Sequence, residues 1–172
     1  LVKYYDFGGI LYMGTYDAAL ICENGHVVNT RFYESPARNE KFCSDCGSPT
    51  IHQCPECNSD IRGYYKTPGV ISISPMPVAP SYCHECGKPY PWTIKEIEAA
   101  KELINLTDLT ESDKSEFINS LEDISVEGPK NKVGVAKVKI FLGKIKNGLR
   151  EDVKEVITNI AAEVIKEQLK GM

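Results

Sequence analysis

The sequence predicts an α+β protein: two small zinc ribbons, each a short β-hairpin with metal-binding knuckles, followed by a helical C-terminal region. Three observations carry this. All seven cysteines fall between Cys22 and Cys86, grouped at ligand spacing. Short apolar or alternating stretches, the pattern of strands, lie between those groups. Beyond Trp92 the apolar residues recur every three or four positions, the period of a helix. The expected organisation is an N-terminal extension over 1–12, a tandem zinc-ribbon domain over 13–92, a helical hairpin over 93–126 and a basic amphipathic helical tail over 127–172.

The chain has 172 residues, 42% hydrophobic and 26% charged, ordinary values for a globular protein. No run of about 18 apolar residues could span a bilayer. Lys3, Asp6 and Gly8–Gly9 interrupt the first eleven residues, so they do not read as a signal peptide. The expected location is therefore the cytoplasm, where thiols stay reduced and free to bind metal. Met13-Gly14 reads as a natural start preceded by an extension. The residues after it lack the pattern for a myristoyl anchor.

The cysteines form Cys22-Glu-Asn-Gly-His26, Cys43-Ser-Asp-Cys46, Cys54-Pro-Glu-Cys57 and Cys83-His-Glu-Cys86. These four pairs supply eight ligands, enough for two tetrahedral zinc ions. A turn with two intervening residues places two sulfurs on one side of an ion, and a second turn closes the other side. Such turns need a residue that tolerates positive φ. Gly25, Gly47 and Gly87 sit beside a ligand, and Asn58 takes the same place after Cys57. Short loops close more cheaply than long ones. The sequential pairing is therefore favoured over the crossed one: Cys22, His26, Cys43 and Cys46 on one zinc, and Cys54, Cys57, Cys83 and Cys86 on the other. The segments His26–Tyr33 and Val70–Ser74 are expected as ribbon strands.

Simple burial explains a lone cysteine better than it explains four pairs at ligand spacing. A redox dithiol would want a βαβ context, which the sequence does not offer. Catalytic zinc keeps one position open, whereas here the ligand count closes both sites. His52 and His84 remain over and are expected as exposed loop side chains. The zinc-deaminase pattern, His-Glu-x-x-His, Gly-x-Ser-x-Gly and a P-loop do not occur, so no catalytic residue is assigned and the protein is expected not to be an enzyme.

After Pro89-Tyr90-Pro91-Trp92 a helix is expected, with Thr93 as cap, Glu96 completing a capping box, and Trp92 and Ile97 as a hydrophobic staple. Ile94, Ile97, Ala100, Lys101 and Ile104 follow at helical spacing. Trp92 is expected to pack that helix onto the ribbon. A second helix is expected after Thr110, with the stripe Phe117, Ile118, Leu121 and Ile124 and acidic residues in its first turn. Gly128-Pro129 ends it. Leu142, Ile145, Leu149, Val153, Val156, Ile160 and Val164 then form a long stripe, divided by Gly143 and Gly148, that reads as a core or a self-association face.

Charge is uneven. Residues 93–128 carry three basic and ten acidic side chains, and residues 129–172 carry ten basic and five acidic ones. The two segments are expected to attract each other, or the tail to serve an anionic partner. Lys137, Lys139, Lys144, Lys146 and Arg150 also permit an anionic membrane surface. The ribbons themselves carry six basic against eight acidic residues. Seven thiolates against two divalent cations make them more negative still, which disfavours phosphate contact there.

Tyr16-Asp-Ala-Ala-Leu-Ile-Cys22-Glu-Asn-Gly-His26, Lys41-Phe-Cys-Ser-Asp-Cys-Gly47, Cys54-Pro-Glu-Cys57 with Ile61-Arg-Gly63, and Pro80-Ser-Tyr-Cys-His-Glu-Cys-Gly-Lys-Pro-Tyr-Pro-Trp92 resemble an uncharacterised bacterial family, domain of unknown function 2321. The resemblance is close over about residues 13 to 106 and looser over the basic tail. It implies a double zinc ribbon in a bacterial protein and no particular activity. The function expected from all this is a zinc-ribbon interaction module. It would contact a protein partner or a second copy through the helical tail. The alternatives are a nucleic-acid-binding regulator or a membrane-associated stress or defence protein.

Overall fold

A computed structural model describes residues 4–7, 10–67, 78–125, 128–161 and 163–170. The expected strand Val70–Ser74 lies outside the described residues. The chain divides into two compact units, Leu1–Thr93 and Ile94–Met172.

The first unit is built from short antiparallel strands. β1 (Tyr4–Phe7) pairs with β2 (Ile10–Met13), so the expected extension forms a hairpin whose last pair is Tyr4 with Met13. β3 (Thr15–Ala18) and β4 (Leu20–Cys22) follow almost without interruption. β4 is the centre of a three-stranded sheet, flanked by β5 (Val27–Asn29) and β6 (Thr50–Ile51). β3 pairs instead with β7 (Arg62–Lys66), with an irregularity between Tyr16 and Ala18.

The two ribbons are therefore interleaved. The strand leading into the first ligand pair also carries, at its other end, the strand that leaves the third pair. The junction, Ala18 to Cys22, is buried at every position. There the Ala19 N–H donates to the Ile61 carbonyl at 2.7 Å. A backbone so deep needs such a partner, because an unpaired buried amide costs about 1–3 kcal/mol. Gly63 sits in the tightest approach: a Cβ there would lie 2.3 Å from the Thr30 carbonyl oxygen.

The apolar core of this unit is small. Ala19, Ile21, Ile61, Tyr90 and Trp92 close around Cys54 and Cys83. Trp92 stacks on Tyr90 with ring centroids 4.7 Å apart, and its Nε1–H donates to the Pro80 carbonyl at 2.8 Å. The remaining loop, residues 30–40, is held by polar groups. Buried Asn29 donates to the Ser35 carbonyl and to Asn39 Oδ1 (3.0 and 2.7 Å), and Asp17 accepts the N–H groups of Tyr33 and Glu34.

α1 (Pro91–Leu106) begins two residues before the expected start, with Pro91 at its first position, where a missing N–H costs nothing. Thr93 is thus inside the first turn and not its cap. Its hydroxyl donates to the Ser81 carbonyl (2.9 Å), which removes it from a capping box with Glu96.

The second unit is helical and has the larger core. α2 (Glu111–Ser125) starts after Thr110, as expected, and Thr110 also caps it, its Oγ1 accepting from the Asp113 N–H at 3.2 Å. Phe117, Leu121 and Ile124 are buried. The tail forms three helices: α3 (Asn131–Lys144), α4 (Arg150–Ile160) and α5 (Glu163–Lys170). Gly148, at φ 85°, lies in the break between α3 and α4. Leu142, Ile145, Val153 and Ile160 of the long stripe are buried in the same cluster as Phe117, and Leu149 and Val156 pack against it; the Val164 side chain is outside the described set. The stripe is core. Phe117 stacks on Phe141 at 5.1 Å, and α3 comes close to α2 at Gly134, where a Cβ would lie 2.7 Å from Ile124 Cγ2.

The charged segments do meet. Lys144 pairs with Asp113 (2.8 Å), Lys137 with Glu116 (3.5 Å) and Lys130 with Asp123 (3.9 Å). Exposed pairs of this kind contribute about 0–1 kcal/mol each, so they set partner choice between α2 and α3 more than stability.

Candidate metal centres

Three of the four ligand pairs use one local structure. In the knuckle at Cys43 the Gly47 N–H donates to the Cys43 carbonyl (2.8 Å) and the Cys43 N–H to the Ser48 carbonyl (2.8 Å). The same two bonds recur as Asn58 to Cys54 and Cys54 to Ser59, and as Gly87 to Cys83 and Cys83 to Lys88. Gly47, Asn58 and Gly87 have φ of 70°, 59° and 70°. Asn is the side chain best suited to that region, which is why it replaces glycine without breaking the turn. The fourth pair is different: Cys22 ends β4, and the turn to His26 passes through Gly25 at φ 86°. A side chain on Gly25 would also lie 3.2 Å from Trp92 Cβ, so this turn rests on the tryptophan of the shared core.

These turns bring the eight residues into two groups. Cys22, His26, Cys43 and Cys46 form one, and Cys54, Cys57, Cys83 and Cys86 the other; the ligand atoms of each lie within 4.8 Å of one another. The grouping is the sequential one. Zinc bonds of about 2.3 Å to sulfur and about 2.0–2.1 Å to nitrogen give a regular tetrahedron with edges of about 3.8 Å between sulfurs and about 3.6 Å between sulfur and nitrogen. The observed edges are 3.8 Å for Cys22–Cys46, 3.8 Å for Cys54–Cys86, 3.7 Å for Cys57–Cys83 and 3.6 Å for Cys43 Sγ to His26 Nδ1. A disulfide would require about 2.05 Å. Both groups therefore fit a tetrahedral metal ion.

In each group the ligands alternate between interior and surface. Cys22, Cys43, Cys54 and Cys83 are buried, Cys57 is half-buried, and His26, Cys46 and Cys86 are exposed. One edge of each tetrahedron is thus buried, that of the second group within the apolar core, and the opposite edge is the more exposed one.

A ring of donors that the ligand spacing does not reveal surrounds the sulfurs. The His26 N–H donates to Cys22 Sγ (3.3 Å), the Glu85 N–H to Cys83 Sγ (3.4 Å) and Asn24 Nδ2 to Cys46 Sγ (3.5 Å). Ser59 Oγ lies 3.2 Å from Cys57 Sγ and 3.3 Å from Cys83 Sγ, bridging two ligands of the second group. The Ser48 N–H, and then its hydroxyl, bring the Cys46 thiol down to about 6. The Ser59 hydroxyl and N–H lower Cys57 in the same way. Burial acts oppositely on Cys22 and lifts its thiol. Thiolate character is what a metal requires of a cysteine, so these donors favour loading near neutral pH. The only trace of them in the sequence is a serine two residues after the knuckle's second cysteine, at Ser48 and Ser59.

The left-over histidines are not ligands in either group. His84 is exposed, as expected. His52 is half-buried and stacks on Phe32 at 3.9 Å, because β6 carries it beside the residue 30–40 loop.

Fold and site together define a small α+β protein with two cysteine-rich four-ligand clusters in its strand-built half. The family model for an uncharacterized protein conserved in bacteria (DUF2321) matches residues 15–169, and the chain belongs to that family. No curated protein and no solved structure matches the chain. Among the described residues no helix is long and apolar enough to cross a membrane.

Proposed function

We propose that this protein is a protein-contact module whose first unit is held in shape by two structural zinc ions. The observation that carries the reading is the geometry of the two ligand sets. Each supplies four donor atoms at tetrahedral separation, and together they use every cysteine of the chain. Four protein ligands leave no coordination position for water or substrate, so the ions stabilise and do not catalyse. What such a frame offers is a rigid surface. The exposed Tyr16, Tyr33 and Phe42, with Arg31 over Tyr64 (4.0 Å) and Arg62 over Tyr16 (5.0 Å), are the residue types enriched at protein contacts. The tail's apolar stripe is enclosed in the second unit's own core, so contacts fall to outward faces of the helices.

The test has two arms. Protein purified without added metal is assayed for metal by mass spectrometry, with two zinc ions per chain expected. The tagged full chain is then cross-linked in its native bacterium, and adducts of discrete mass are expected. Fewer than two ions per folded chain overturns the structural reading; absence of any protein adduct overturns the contact reading.

A further inference from the structure

The second unit carries two unmatched surfaces that complement each other. The first is a groove between α1 and α2, a cavity of about 390 Å³. Its apolar lining is Ile94, Ile97, Ile118 and Leu121, and its polar lining is Asn119, Lys101 and the two glutamates Glu98 and Glu122. Glu98 is paired with Lys101 of its own helix (2.8 Å). Glu122 has no ion pair among the described residues.

The second surface is a ridge on α3. That helix is apolar on two sides. Val135, Val138, Phe141 and Leu142 are buried in the core, whereas Val133 and Ile140 are 54% and 58% exposed. Ala136 and Gly143, also exposed, fall on the same line at helical spacing. A helix normally keeps only one apolar side, and the second marks a contact. Lys132 and Lys139 flank the ridge, exposed and without an ion pair among the described residues. Lys137 and Lys144 are already engaged with α2.

We infer that the protein self-associates head to tail, the α3 ridge of one copy seating in the α1–α2 groove of the next. This deepens the protein-contact reading, on which it rests, by naming the partner as a second copy. Three features select that occupant. Val133 to Ile140 spans about 10 Å at 1.5 Å per residue, the same length as Ile94 to Lys101 along the groove. Ala136 and Gly143 are small, which lets a ridge sink between two helices. The charges are opposite: Lys132 and Lys139 on the ridge, and in the groove Glu122, since Glu98 is already paired with Lys101. A ridge meeting its own copy would set Lys132 and Lys139 against like charge, and a groove meeting its own copy would do the same with Glu122. Only the heterologous contact matches sign, and such a contact builds rings or chains, not a two-fold dimer. An anionic membrane is the poorer occupant, because the ridge presents two aliphatic side chains and no aromatic one.

The test is sedimentation velocity of the full chain over a concentration series up to about 100 μM, with Ile140→Asp to disable the ridge and Ile94→Asp to disable the groove. Both positions are about half exposed, 58% and 48%, so both variants fold, which far-ultraviolet circular dichroism verifies. The expected result is wild type growing beyond a dimer and each variant weakened at least about tenfold. An equimolar mixture of the two variants should form a one-to-one dimer and nothing larger, since one ridge and one groove remain. A wild type that stays monomeric, a variant that assembles like wild type, or a mixture that stays monomeric overturns the inference. Binding of monomeric wild type to anionic vesicles or to an acidic peptide would overturn it in favour of that occupant. A monomeric wild type that still cross-links to another protein in cells sinks this inference alone. A monomeric wild type with no adduct sinks the protein-contact reading as well.

Discussion

Trp92 is the only tryptophan in the chain, so its emission reports one place, the core that holds Cys54 and Cys83 and lies against the Gly25 turn of the first ligand group. It is 4% exposed and stacked on Tyr90. Chelation of the metal ions is the perturbation. A structural zinc site supplies an apparent free energy of about 10–16 kcal/mol in small metallo-domains, whereas a folded domain has a net stability of about 5–15 kcal/mol. Loss of either ion is therefore enough to unfold a unit whose large buried non-ligand side chains, among the described residues, are Leu20, Ile21, Ile61, Tyr90 and Trp92. The helical unit holds no ligand and buries Phe117, Leu121, Ile124, Val138, Phe141 and Ile157 among others. Of the described α-helical residues only Pro91 to Thr93 belong to the first unit, so α-helical ellipticity should fall by about one part in twenty. A strong chelator should thus shift Trp92 emission to the red while helical ellipticity persists, and added zinc should reverse the shift. The reasoning is refuted if emission stays unmoved once the metal is fully removed, or if the helices melt in the same transition.

Other outcomes follow from single contacts. Ser59→Ala removes the hydroxyl shared by Cys57 and Cys83 and should weaken the second site about 10–100-fold in a competition with a chromogenic chelator, leaving the first site unchanged. Gly63→Ala forces a Cβ to 2.3 Å from the Thr30 carbonyl oxygen and 2.8 Å from the Ala18 carbonyl; backbone must shift on both sides, and a lowered midpoint for the Trp92 transition is expected. Phe117→Ala opens a hole against Phe141 in a fully enclosed position and should cost about 3–5 kcal/mol in denaturant unfolding followed by ellipticity. A loss under about 1 kcal/mol there would mean that the helical core is not packed as described.

The ligand set was legible because metal chemistry writes itself into short spacings. A knuckle is six or seven consecutive residues, and the need for positive φ after the second cysteine leaves Gly47, Asn58 or Gly87 as a visible mark. The sequential grouping was legible for a related reason, the lower cost of closing short loops. Helix α2 was legible from Thr110, its acidic first turn and its 3.6-residue stripe. Helix α1 was misjudged at its start by two residues, because the competing partner of the Thr93 hydroxyl, the Ser81 carbonyl, comes from a different stretch of chain.

By itself the sequence determined which side chains can hold metal, how they pair along the chain, and that helices follow. These depend on local spacing, which the covalent chain sets. Only the tertiary structure decided that β3 and β4 tie the two ribbons into one core, that the long stripe is enclosed instead of offered, and that Asn24, Ser48 and Ser59 reach the sulfurs. Apart from the serines' contacts with the cysteine two residues before them, each of those depends on segments distant in sequence meeting at van der Waals or hydrogen-bond range, a condition that no local period records.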